Sequence, residues 1–257
     1  MKTRILWAGA ALALAGSALA AEVPVDLTSW QKRGPSANGN WTVAADGESV
    51  FQSINGDPTF FVSPANSINT TLRGKIEVET TGDDDLIGFV FGFNAPAGTG
   101  NDMNFVLVDW KQATQNFDGV TSSEGFSVNR VQGNITDYLP GFWGRADSAG
   151  FDSLATNYGD NLGWEDNTEY TFTILYQTNH LSFEVAGGAF GAGQVVFDIA
   201  GSFPDGAFGF YNYSQAAVRY SGLTLEDTPP PIPEPGTWAL MLLGLAGTAV
   251  AARRRRG

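Results

Sequence analysis

The chain has 257 residues, with 27 acidic side chains against 14 basic ones, no cysteine, one histidine and a net charge of −13. So acidic a surface repels nucleic acid, and the absence of cysteine removes thiol catalysis, thiolate zinc sites and iron–sulfur clusters. The lone His180, in the polar turn YQTNHLSF, is too little for a serine–histidine–aspartate triad or a histidine-rich metal site.

The N-terminus opens with Lys2 and Arg4, an apolar run from Ile5 to Ala15, and the small-x-small step Ala18-Leu19-Ala20. That order predicts a signal peptide over residues 1–20, cleaved after Ala20, and therefore an exported domain over residues 21–227. Within 21–227 stand 8 basic and 26 acidic residues, a net charge of −18. A domain of this length buries enough apolar surface to fold without disulfides, although an exported protein would be allowed them.

Period-two alternation then recurs along the chain. Leu72, Gly74, Ile76 and Val78 alternate with Arg73, Lys75, Glu77 and Glu79, and Tyr170–Gln177 and Leu181–Val185 behave alike. Such runs predict half-buried strands. Leu86–Phe93 (LIGFVFGF) and Phe105–Trp110 (FVLVDW) are apolar on both faces and predict central strands. Gly88 and Gly92 inside the first of these would let a neighbouring aromatic ring pack closely. Only Phe151–Asn157 (FDSLATN) carries a short helical period, and glycine and asparagine punctuate the gaps. The expectation is an all-β fold: an antiparallel two-sheet sandwich or jelly roll of roughly twelve to fourteen strands.

Residues 228–257 change character. A proline-rich spacer carries Pro233-Glu234-Pro235, an apolar run spans Trp238–Ala252, and Arg253, Arg254, Arg255 and Arg256 follow. The run is shorter than the ~20 residues of a comfortable bilayer span, and the arginines would hold that end on the cytoplasmic side. This segment resembles a PEP-CTERM sorting tail. The resemblance implies transient inner-membrane association, cleavage by an exosortase, and delivery to the cell surface or beyond.

Five strings carry a second likeness: Asn40–Pro58 (NWTVAADGESVFQSINGDP), Gly74–Phe93 (GKIEVETTGDDDLIGFVFGF), Asn104–Gln112 (NFVLVDWKQ), Tyr158–Ile174 (YGDNLGWEDNTEYTFTI) and Gly206–Leu223 (GAFGFYNYSQAAVRYSGL). In this order they resemble the thrombospondin C-terminal domain, a lectin-like sandwich of the concanavalin A type, from about Trp30 to Leu223. The resemblance implies noncatalytic adhesive or matrix work, calcium near the loops at one end, and association with exopolysaccharide or cell-surface glycans. The chain departs from the family in lacking the acidic repeats that precede this domain in animals. Where the family's receptor-binding strand motif has a hydrophobic residue, this chain has Asp109 in Val106–Asp109, so no animal receptor is carried over.

Two acidic sets are candidates for chemistry. Asp83, Asp84 and Asp85 occupy one turn, where three carboxylates repel unless a cation compensates, and calcium takes oxygen ligands from such loops. Asn101 and Asp102 in the next loop would be second contributors. Glu77 and Glu79 share one strand face, as paired glycosidase carboxylates do, but the third alternating acid of concanavalin-type hydrolases is missing. Arg73 and Lys75 on that face suit ordinary cross-strand pairing. Three readings stay open: a noncatalytic surface protein, a lectin proper, and a glycosidase using Glu77 and Glu79. Trp110, Trp164 and the loop Gly141–Gly144 (GFWG) serve either core packing or sugar stacking.

Overall fold

A computed structural model describes residues 22–34, 39–95 and 102–227. Ala18 and Ala20, Asn101, Pro233–Pro235, the apolar run and the four arginines lie outside the described residues. Among the described residues no helix is long and apolar enough to cross a membrane.

Among the described residues seventeen strands follow one another: β1 (Val23–Pro24), β2 (Gln31–Arg33), β3 (Trp41–Val43), β4 (Ser49–Gln52), β5 (Thr59–Asn66), β6 (Thr70–Val78), β7 (Leu86–Phe93), β8 (Asp102–Lys111), β9 (Gln115–Phe117), β10 (Val120–Ser122), β11 (Gly125–Asn134), β12 (Phe151–Tyr158), β13 (Tyr170–Gln177), β14 (His180–Ala186), β15 (Gln194–Ala200), β16 (Ala207–Tyr213) and β17 (Val218–Asp227). Eight form one sheet in the order β15-β14-β13-β6-β17-β4-β3, with β1 also on β17. Seven form a second sheet, β12-β11-β8-β7-β16-β5-β2, and β9 pairs with β10 in a separate ribbon. All pairings are antiparallel. The sandwich is as expected, but the two sheets hold more strands than twelve to fourteen. The excess is in β1, β2 and β3, which are two or three residues long and too short to show a period.

The facing sheets enclose one aromatic core. Phe89 meets Phe172 at 4.5 Å, Trp110 meets Tyr170 at 4.8 Å, and Phe210 stacks on Tyr220 at 4.2 Å between ring centres. The seven-stranded sheet buries its outer face too. Phe60, Val90, Phe105, Leu107 and Tyr211 form a second core there, covered by Phe142 and Trp143 from the turn at Leu139–Trp143. This explains why β7 and β8 are apolar on both faces. It also assigns the GFWG rings Phe142 and Trp143 mainly to packing, since both are buried.

Two local expectations need correction. Phe151–Asn157 is the edge strand β12, paired with β11. A bulge between Val128 and Asn129 leaves Leu154 unpaired, so Phe151 joins the outer core while Ala155 packs against the inner one. The apolar residues Phe151, Leu154 and Ala155 stand at i, i+3 and i+4, which imitates a helix, whereas in the strand Leu154 is the bulged residue and is exposed. Gly88 does not make room for a ring. A Cβ there would lie 2.1 Å from the Val108 carbonyl oxygen, so the constraint is the approach of the neighbouring backbone at φ +154°. At Gly92 (φ +58°) the neighbours are Pro204 and the Tyr176 hydroxyl.

Candidate functional site

The Asp83–Asp85 turn enters β7 at the sandwich end where β8 finishes, because Leu86 pairs with Lys111. Lys111 therefore points its ammonium into the turn. The fully buried Nζ donates to the Asp84 carbonyl oxygen at 2.9 Å, to Asp85 Oδ1 at 2.9 Å and to Gln115 Oε1 at 2.6 Å, and it sits 4.8 Å from the centre of the Trp143 ring. A buried ammonium is tolerated only when so surrounded. Asp85 is thereby a structural post. Its amide donates to Gln215 Oε1 at 2.9 Å, and its carbonyl accepts from Trp164 Nε1 at 3.1 Å.

Asp83 and Asp84 are left facing outward with one ammonium against three carboxylates. The three offer oxygens all within 4.8 Å of one another. Burial first, and then the charge of Asp85, push the Asp83 carboxyl up to about 6. Burial also raises that of Asp84, opposed by Lys111. Asp83 accepts a hydrogen bond from the Asn55 amide. Asp84 Oδ1 is buried without a hydrogen-bond partner, 3.8 Å from Lys111 Nζ. An orphaned carboxylate oxygen beside a half-desolvated carboxylate fits a hard cation with oxygen ligands. The donors that suit it are Asp83 and Asp84.

Asp102 does not join them. It opens β8 opposite Asn134, nine residues from Lys111 along an extended strand, roughly 30 Å from the turn. The β7–β8 hairpin turns at the far end of the sandwich, so adjacent loops in sequence are opposite ends in space. Glu77 and Glu79 do share the outer face of the eight-stranded sheet. Glu79 forms a two-pronged ion pair with Arg219, one contact being Nη2–Oε2 at 3.0 Å, and Glu77 stands opposite Arg219 in register. Lys75–Glu169 at 2.8 Å and Arg73–Glu22 at 2.8 Å continue the same row. Both carboxylates thus stand in a row of ordinary cross-strand ion pairs on an open sheet face. His180 pairs with Asp198 at 2.5 Å, well away from the turn, between β14 and the edge strand β15.

Beside the acidic turn is a cleft of about 560 Å³ lined by Asn55, Asp57, Asn116, Phe117, Trp143 and Tyr213, among others. Sequence reasoning missed it. Its one legible signal was Asp118-Gly119, a hairpin dipeptide, here at φ +47° and +83°, which builds the β9–β10 ribbon and raises Phe117. The remaining lining residues come from four separate segments.

The model of the thrombospondin C-terminal region matches residues 36–228. The chain belongs to the thrombospondin C-terminal family. The PEP-CTERM protein-sorting motif matches residues 231–256. Human thrombospondin-2 is 28% identical over 203 residues, and chicken (Gallus gallus) thrombospondin-2 is 27% identical over 199; each alignment takes in 73% of this chain and 16% of the relative. Rat cartilage oligomeric matrix protein is 25% identical over 146 residues, 54% of this chain and 18% of that one. The chain thus spans under one fifth of the length of these relatives. In fold, the thrombospondin-type domain is similar to the carbohydrate-binding module CBM66 from Bacillus subtilis (TM-score 0.51, 14% identity, 77% of this chain and 96% of that one). It is also similar to the VIP36 exoplasmic/lumenal domain in its Ca2+/Man-bound form (TM-score 0.52, 11% identity, 80% and 85%). Asp109 is fully buried against Arg145, which gives it a packing role.

Proposed function

We propose that this is an exported, noncatalytic surface or matrix protein whose lectin-like domain uses calcium to order one loop end and works by adhesion to carbohydrate. The observation that carries the calcium reading is the pairing of Asp84 Oδ1, buried and without a hydrogen-bond partner, with Asp83, whose proton affinity is raised by burial and by Asp85. Asp83 and Asp84 would hold the ion, with Asp85 retained by Lys111. Calcium there would neutralise the residual charge and fix the loop that adjoins the cleft. The fold neighbour VIP36, described in a Ca2+/Man-bound form, supports testing calcium and saccharide together.

Processing completes the proposal. The sorting motif at residues 231–256 supports cleavage near Pro233-Glu234-Pro235 by an exosortase, with Arg253–Arg256 setting topology until release. Ala18 and Ala20 would mark the other cut. Intact mass of the surface or secreted form is expected to lack both terminal segments.

Melting curves in chelator and in millimolar calcium test the metal. Binding to the folded state alone raises stability by about 2.7 kcal/mol at one hundred times Kd. The double change Asp83→Asn and Asp84→Asn is expected to abolish that response while leaving the chelated protein folded. Superimposable curves for the unmutated protein would refute calcium binding.

A further inference from the structure

The cleft beside the acidic turn holds chemistry that calcium does not use. Phe117 is 60% exposed, in a domain that buries most of its aromatic rings. It meets Trp143 edge-on at 5.8 Å, and Trp143 meets Tyr213 at 6.5 Å. Trp143 Nε1 donates to the Val120 carbonyl at 3.0 Å, tying the β9–β10 ribbon to the turn that covers the outer core. The Phe117 ring is thus held out by two anchored segments and is not a loose side chain.

The facing wall is polar. Asn55, Asp57 and Ser214 line it, and Asn116 flanks Phe117 on β9. Ser214 is kept at φ +56°, and its amide donates to the Gly56 carbonyl at 2.7 Å, so this wall is also fixed. The lining includes two carboxylates, Asp57 and Asp85, and no lysine or arginine. Lys111 pairs with Asp85 behind the lining, but Asp83 and Asp84 adjoin it through Asn55, so carboxylates still outnumber the single ammonium and disfavour an anionic ligand. An exposed ring opposite an amide, a hydroxyl and a carboxylate suits a pyranose. Its C–H face stacks on the ring, and its hydroxyls exchange hydrogen bonds with the polar wall. The volume is within the ~300–1,000 Å³ of small-ligand sites. The larger depression of about 660 Å³, at the opposite end around Asn66, Asn94 and Asp205, offers no comparably exposed ring.

We infer that this cleft binds a neutral saccharide, with Phe117 as the stacking platform and Asn55, Asp57 and Asn116 as hydrogen-bonding partners. The inference rests on the reading of the domain as a noncatalytic binding module and supplies that reading with its ligand class and address.

Calorimetric titration tests it, using the purified protein with neutral dextran, mannan and laminarin oligosaccharides and with alginate oligouronates, in calcium and in chelator. At least one neutral series is expected to bind and alginate to fail. Phe117→Ala is expected to weaken binding about ten-fold or more, the stacking and area lost with one ring, while Phe117→Trp retains it. Because the ring is exposed, the melting curve of Phe117→Ala should match that of the unmutated protein. Neutral oligosaccharide binding unchanged in Phe117→Ala, binding of alginate alone, or no binding by any neutral series would each overturn the inference. Phe117-dependent capture from a peptide display library without saccharide binding would make the cleft a protein-docking site instead. Calcium melting shifts read on the same samples separate the two proposals: a shift without saccharide binding rejects only the cleft, and saccharide binding without a shift rejects only the metal.

Discussion

Asp109 and Arg145 are 36 residues apart in sequence and form a fully buried ion pair, Oδ1–Nη1 at 3.0 Å, beneath the turn that covers the outer face of the seven-stranded sheet. Ser127 Oγ donates to the same Asp109 oxygen at 2.8 Å, and the guanidinium is 4.7 Å from the centre of the Tyr158 ring. Arg145 also donates to the Gly125 carbonyl at 2.9 Å and takes φ +53°. The pair therefore fastens the covering segment to strands β8 and β11.

Removing one partner leaves an uncompensated buried charge. Arg145→Ala is expected to cost about 3–5 kcal/mol, whereas the double change Asp109→Val with Arg145→Leu should cost less than Arg145→Ala alone. Urea denaturation of the two singles and the double measures this coupling. A double variant as unstable as the sum of its singles would show that the pair acts independently.

Lys111 is the second buried charge with a predictable consequence. Lys111→Met leaves Asp85 buried beside Asp83 and Asp84 without a counter-ion, so the chelated protein is expected to lose about 3–5 kcal/mol. Millimolar calcium should recover part of that loss, and the calcium-induced rise in melting temperature should exceed that of the unmutated protein.

The Asp83 carboxyl gives a pH dependence with a definite sign. It titrates at about 6 in the folded chain against an ordinary 3.8, so the folded state holds the extra proton between those values. Stability contributed by this group is therefore greatest below 3.8, falls as pH rises through the window, and stays reduced above about 6. In chelator, Asp83→Asn is expected to be more stable than the unmutated protein near neutrality by about 1 kcal/mol, after allowance for solvent screening. The difference should vanish in acid. Melting temperatures of both proteins across the acidic range measure it.

Gly88→Ala is expected to be among the more damaging small substitutions, at about 3 kcal/mol or more, because its Cβ would collide with the Val108 carbonyl at a backbone angle that alanine avoids. Chemical denaturation checks this. A change below about 1 kcal/mol would mean that the β7–β8 pairing can shift to admit a methyl group.

Local order was legible in the residues themselves. Period-two alternation marked β6, β13 and β14, and doubly apolar runs marked β7 and β8, because a strand's side chains alternate and burial selects which face is apolar. The acidic turn was legible for the same reason: three adjacent carboxylates need no partner to be noticed. What the residues alone could not state was who stands opposite whom. Lys111 reaches Asp85 only because the β7–β8 hairpin brings its ends together, and the same geometry carries Asp102 to the far end. Arg145 finds Asp109 across a covering segment, and a bulge opposite Val128 and Asn129 sends Phe151 and Ala155 of β12 to different cores. The cleft gathers Asn55, Asn116, Trp143 and Tyr213 from segments that share no period. Periodicity records which way a side chain points along its own strand, while pairing across strands and loops depends on long-range register, which only the folded sheets decide.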